Sequence, residues 1–108
     1  MEHTNATQAL AALGHPTRLS VFRLLVQAGR GGRLAGEIAS ALDLPGATLS
    51  FHLKELAAAG LLSAEPRGRA ICYRADFEAM NGLVGYLTEN CCAGDSDCGP
   101  PSRCAPPR

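Results

Sequence analysis

No apolar run in this sequence approaches the roughly 20 residues that a bilayer-spanning helix needs. Every hydrophobic stretch is broken by Gly, Arg or Glu well before that length, so no segment is expected to cross a membrane. The first residues, MEHTNATQALAALG, lack the basic start and long apolar centre of a secretion signal, and a cytoplasmic location is expected. Charge excess is missing too. Lys+Arg and Asp+Glu stand at 10 each, charged residues make up 19% and hydrophobic residues 46%, which excludes both a charged disordered segment and an indiscriminate polycation. There is no nucleophile paired with a base, no phosphate-cradling glycine loop and no pair of carboxylates set for acid–base work. An enzyme is therefore not expected, nor an organic cofactor. Internal repeats are absent, and 108 residues leave room for one core.

What is present is distributed unevenly. Residues 47–75 carry Lys54, Arg67, Arg69 and Arg74 against Glu55 and Glu65, whereas every charge between 76 and 98 is acidic: Asp76, Glu78, Glu89, Asp95 and Asp97. Phosphate contact depends on local charge, so the middle of the chain is the part suited to a polyanion.

Apolar spacing reads as helix through most of the first sixty residues. A first, Ala-rich helix is expected over about Thr4 to Leu13, stopping at Gly14. A second opens at Pro16 and carries Leu19, Phe22 and Val26 with Leu25 beside them, ending in AGRGGR, residues 28–33, where three glycines make continuation costly. His15 belongs to the opening of that helix, and His3 is expected to be disordered. Leu34, Ile38 and Leu42 define a short third helix, Asp43-Leu44-Pro45-Gly46 breaks it, and a fourth runs from about Ala47 to Ala59 with Leu49, Leu53 and Leu56 inward. Two short helices joined by such a turn form a helix-turn-helix.

The period then changes. Leu61–Glu65 and Ala70–Ala75 flank Pro66-Arg67-Gly68-Arg69, a β-hairpin with a basic tip. A last helix, about Phe77 to Asn90, places Phe77, Met80, Val84 and Leu87 on one stripe. The fold class is mainly α with a β-hairpin wing, and residues 1–90 form the folded domain. Residues 91–108, CCAGDSDCGPPSRCAPPR, hold four of the seven prolines and four of the five cysteines. They are expected to be a flexible tail, since this composition builds no core.

A helix-turn-helix reads DNA when its second helix enters the major groove with polar side chains outward and cations nearby. The fourth helix offers Thr48, Ser50, His52 and Lys54 on the faces its leucines leave free, and the hairpin tip adds Arg67 and Arg69. Double-stranded DNA is the expected partner.

The run LAALGHPTRLSVFRLL, then GEIASALDLPGATLSFHLKELAAAGLL and the wing EPRGRAICYR, together resemble the winged-helix repressors of the ArsR/SmtB family over about residues 8–90. The resemblance implies a cytoplasmic homodimer that leaves its operator when a metal or metalloid binds. Thr48 and Ser50 would face DNA, with His52 and Lys54 close by and Arg67 and Arg69 on the wing. The first and last helices would pair with those of a second subunit, and the dimer would read an inverted repeat. The sequence departs from the family pattern at Pro45-Gly46, where Ser and Gln are usual, and at Phe51, where His is frequent. Phe51 is expected to pack inward rather than touch a thymine methyl.

The family's sensor sites narrow the ligand. One uses Cys-x-Cys in the third helix, where RLAGEIASAL has no cysteine; another uses Asp and His on the last helix, where NGLVGYLTEN has no histidine. Cys91, Cys92 and Cys98 remain, with Cys104 as a further candidate. Thiols in a reducing compartment stay reduced, and three thiolates suit a soft ion. As(III) or Sb(III), each with three bonds and a lone pair, matches a three-sulfur pyramid, and the resemblance extends to arsenic-responsive repressors whose cysteines follow the last helix. The alternatives are Zn(II) or Cd(II), the four cysteines closing a tetrahedral site, Pb(II), or a disulfide-based redox switch. Cys72, alone in the second wing strand, reads as a small buried hydrophobe.

Overall fold

The computed structural model describes residues 1–91. Its order is α1 (His3–Leu13), α2 (Pro16–Ala28), a 3₁₀ turn (Gly29–Gly31), β1 (Arg33–Leu34), α3 (Ala35–Leu42), α4 (Gly46–Ala58), β2 (Leu62–Arg67), β3 (Ala70–Ala75) and α5 (Phe77–Thr88). No helix among the described residues is long and apolar enough to cross a membrane.

Local chemistry sets the helix ends. Pro16 starts α2, where a missing N–H costs nothing, and the preceding His15 caps it: Thr17 N–H donates to His15 Nδ1 at 3.1 Å. Glu37 in the first turn of α3 accepts from the Leu34 N–H at 2.8 Å, and Asp76 caps α5 by accepting from the Ala79 N–H at 3.0 Å. These bonds occupy donors that a helix N-terminus otherwise leaves without partners. His3, expected to be disordered, is instead the first residue of α1, and its Nδ1 lies 2.7 Å from the Tyr86 hydroxyl. That bond joins α1 to α5.

The core gathers one face from every helix. Ala6, Ala9 and Ala12 let α1 lie close on the bundle, and Leu25, Ile38, Leu49, Leu53, Leu56, Leu61 and Val21 are fully buried. In α2 the inward stripe is Val21, Phe22 and Leu25, whereas Leu19 stays exposed. In α5 the expected single stripe divides in two: Phe77 and Met80 pack on the core around Leu83, while Val84 and Leu87 point outward at 55% and 58% exposure.

The wing is a three-stranded antiparallel sheet in the order β1-β3-β2, one strand more than the expected hairpin. Arg33 pairs with Tyr73 and Leu34 with Cys72; two residues are too few to show alternation in sequence. β2 runs further than expected, with Pro66 opposite Ile71 and Arg67 opposite Ala70, so the turn shrinks to Gly68-Arg69, with Gly68 at φ 62°. Pro66 is tolerated because β2 is an edge strand, where a missing N–H breaks no ladder. Cys72 is buried, 3.5 Å from the Gly31 carbonyl it donates to, as expected of a strand cysteine.

Candidate nucleic-acid interface

With Leu49, Leu53 and Leu56 turned inward, α4 shows solvent a face carrying Thr48, Ser50, Phe51, Lys54 and Glu55. Three of the four residues expected on this helix are therefore exposed together. The fourth is not: His52 is 7% exposed and belongs to the buried set of α4. It lies three residues after Leu49 and four before Leu56, within the arc those leucines bury. Phe51 departs from expectation in the opposite sense, at 57% exposure and outside the core cluster.

His52 has a specific neighbour inside. Its ring centroid is 4.8 Å from that of His15, with the planes tilted by 45°, and its buried Nδ1 has no hydrogen-bond partner among the described residues. Burial holds the His52 pKa below the ordinary value of 6.5; the nearby His15 and Arg18 push the same way, and Glu55 opposes them. The folded protein thus binds fewer protons at this site than the unfolded chain. Stability from this group is complete above pH 6.5 and is lost as pH falls below it. The Tm is expected to fall between pH 7.5 and 5.5, and His52→Asn to flatten that slope. Thermal melts across this range, in which exposed carboxylates stay ionised, provide the check.

At the wing, Glu65 organises the cations. Arg74 Nη2 meets Glu65 Oε1 at 2.7 Å, Arg67 Nη2 approaches the same oxygen at 3.7 Å, and Arg74 Nε donates to the Arg30 carbonyl at 2.8 Å. The hydrogen bond from Arg74, aided by its charge and that of Arg67, lowers the Glu65 pKa. Arg74 thereby fastens β3 to the loop after α2. Arg67 is only loosely held, and Arg69 makes no ion pair among the described residues. Both are exposed at the tip, as expected.

Cys91 is exposed just beyond α5. Cys92, Cys98 and Cys104, and the rest of the expected tail, lie outside the described residues. Among the described residues no group of three or more His, Cys, Asp or Glu side chains is arranged to hold a metal ion.

A helix showing Thr48, Ser50, Phe51 and Lys54 to solvent, set behind a short turn from α3 and beside a wing tipped with Arg67 and Arg69, defines a winged helix-turn-helix DNA-binding domain. Comparison with known proteins agrees. A helix-turn-helix domain profile matches residues 13–63. The HTH-type transcriptional regulator YgaV of Escherichia coli (strain K12) is 30% identical over 87 residues, 81% of this chain and 86% of that protein. An ArsR-like transcriptional regulator from Rhodococcus sp. RHA1 superposes with a TM-score of 0.69 at 29% identity, covering 79% of this chain and 77% of that one. A homodimeric winged helix-turn-helix domain from Mycobacterium bovis, a possible ArsR-family regulator, gives a TM-score of 0.65 at 26% identity over 82% of each chain. A possible transcriptional regulator for arsenical resistance gives 0.64 at 26% identity, over 74% of this chain and 79% of that one. The chain belongs to the ArsR/SmtB family of winged helix-turn-helix transcriptional regulators, DNA-binding proteins rather than enzymes.

Proposed function

We propose that this protein is a homodimeric, cytoplasmic repressor. It binds an inverted-repeat operator and is released when As(III) or Sb(III) is captured by Cys91, Cys92 and Cys98, derepressing resistance genes. The observation that carries the reading is the shared exposure of Thr48, Ser50 and Lys54 on α4 with Arg67 and Arg69 on the wing, together with Cys91 at the exit of α5. Leu10 on α1 and Val84 and Leu87 on α5 are exposed apolar residues. A second copy would cover them, as the homodimeric relative suggests. Soft thiolates favour a trivalent metalloid, and the arsenical-resistance relative supports that ligand class.

The mechanism follows from position. Gathering thiolates just beyond α5 couples ligand binding to local ordering at the end of a dimerisation helix. Coupling of about 1–3 kcal/mol between that end and the reading heads lowers DNA affinity about 5- to 150-fold.

Fluorescence anisotropy of the reduced dimer on DNA from upstream of its own gene, titrated in parallel with As(III), Cd(II), Zn(II) and an oxidant, tests the reading. Release by As(III) is expected, at least about tenfold in affinity, and its loss in Cys91→Ser and Cys98→Ser with DNA binding unchanged. Release by oxidant alone, reversed by dithiothreitol, would replace the metalloid site with a thiol switch.

A further inference from the structure

Phe51 is one of three phenylalanines in the chain; of the other two, Phe22 is buried and Phe77 packs against the core. Phe51 does neither. On the α4 wheel, Leu49, Leu53 and Leu56 mark the inward side, and Phe51 and Lys54 fall near the middle of the opposite arc, with Thr48 and Ser50 on its two flanks. The Phe51 ring meets the buried His52 ring edge-on at 5.6 Å and is itself exposed.

The first turn of α4 sharpens the point. Gly46 and Ala47 carry no side chain able to hydrogen-bond a base, and the preceding residue is Pro45. Small residues there allow close approach to the groove floor. They also leave the bidentate contacts that Arg, Asn or Gln make with guanine and adenine unavailable at the tip of the helix. The large side chain at the centre of the face is an aromatic one, and the one apolar feature a base edge presents in the major groove is the thymine 5-methyl group. The surrounding cations, Lys54 on the helix and Arg67 and Arg69 on the wing, complement phosphate.

We propose that Phe51 reads a thymine methyl group in each half-site of the operator. This rests on α4 being the DNA-reading helix, and it makes a thymine at one position per half-site the main base preference of the protein.

Replacing thymine by deoxyuridine removes only the methyl group. The probe is a duplex selected by the protein from a random-sequence pool, its thymines exchanged one position at a time in both half-sites and binding followed by anisotropy at constant salt. Burial of one methyl group is worth about fourfold in affinity, so the critical exchange weakens the dimer about 15-fold. In Phe51→Ala, a change outside the core cluster whose fold is checked by its Tm, binding is weaker throughout and the same exchange has no effect.

Tight wild-type binding that tolerates every exchange overturns the methyl reading and leaves α4 as the reading helix. Equal sensitivity in wild type and Phe51→Ala assigns the methyl contact to another residue and overturns it too. Failure of the wild type to select or bind any duplex removes the DNA-reading assignment of α4, and the proposal with it.

Discussion

Gly32→Ala is expected to be the most damaging single-methyl change in the domain, lowering the Tm by ~8 °C or more, up to loss of cooperative unfolding. Gly32 has φ 69° and ψ −167°, a backbone region essentially closed to other residues and costing them about 1–3 kcal/mol. The space is closed as well. A Cβ there would stand 2.5 Å from the Tyr73 carbonyl oxygen, 2.9 Å from Arg74 Cγ and 3.0 Å from Cys72 Sγ. The Tyr73 carbonyl cannot withdraw, because β3 is the central strand and Tyr73 is registered with Arg33 on one side and Ala64 on the other. Overpacking adds about 1–3 kcal/mol, and the total is a large share of the ~5–15 kcal/mol that holds a domain folded. Gly36→Ala is the control: Gly36 lies in α3 and a Cβ there meets nothing within 4 Å. It is expected to hold or raise the Tm. Differential scanning calorimetry of the two variants separates the outcomes.

Neutralising the reading surface is expected to have the largest effect on function. Lys54→Gln, Arg67→Gln and Arg69→Gln in one chain remove six cationic side chains from the proposed dimer. All three residues are exposed and belong to no buried cluster, so the fold should survive with its Tm nearly unchanged. Each phosphate contact contributes close to one unit to the slope of log affinity against log salt. The slope is expected to flatten by about 5, and affinity at physiological salt to fall by about 10³-fold or more. The loss should be similar on operator and unrelated DNA, because phosphate contacts position a protein without reading sequence. Anisotropy titrations across a salt series give both numbers. An unchanged salt slope would remove α4 and the wing tip from the DNA interface.

The helices and the hairpin were legible because their signals are long and redundant. Leu49, Leu53 and Leu56 repeat with the helical period, Pro16 opens α2, the glycines of residues 28–33 end it, and Pro66-Arg67-Gly68-Arg69 separates the two expected arms of the hairpin. β1 was not legible, since Arg33 and Leu34 become a strand only through pairing with Tyr73 and Cys72. At His52 and Phe51 the polarity of the side chain and its angular position on α4 point opposite ways, and position decides. The same leucine spacing that defines α4 already places residue 52 inside and residue 51 outside, so the signal was available. The stripe of α5 read as one face because Phe77 and Met80 meet the chain's own core while Val84 and Leu87 face away from it. A sequence records both demands as the same apolar pattern. For the sensor, composition points to thiolate chemistry. Three of its four cysteines lie beyond the described residues, so that part stands on chemistry and on relatives.

The central claim is that two copies of α4 and the wing read a two-fold-related operator. Hydroxyl-radical footprinting of the wild-type protein on DNA from upstream of its own gene tests this most directly. The account predicts two protected patches with their centres about one helical turn apart, symmetric about a dyad and both lost in the triple-neutralised variant. A single patch, an asymmetric one, or protection that survives loss of Lys54, Arg67 and Arg69 would contradict it.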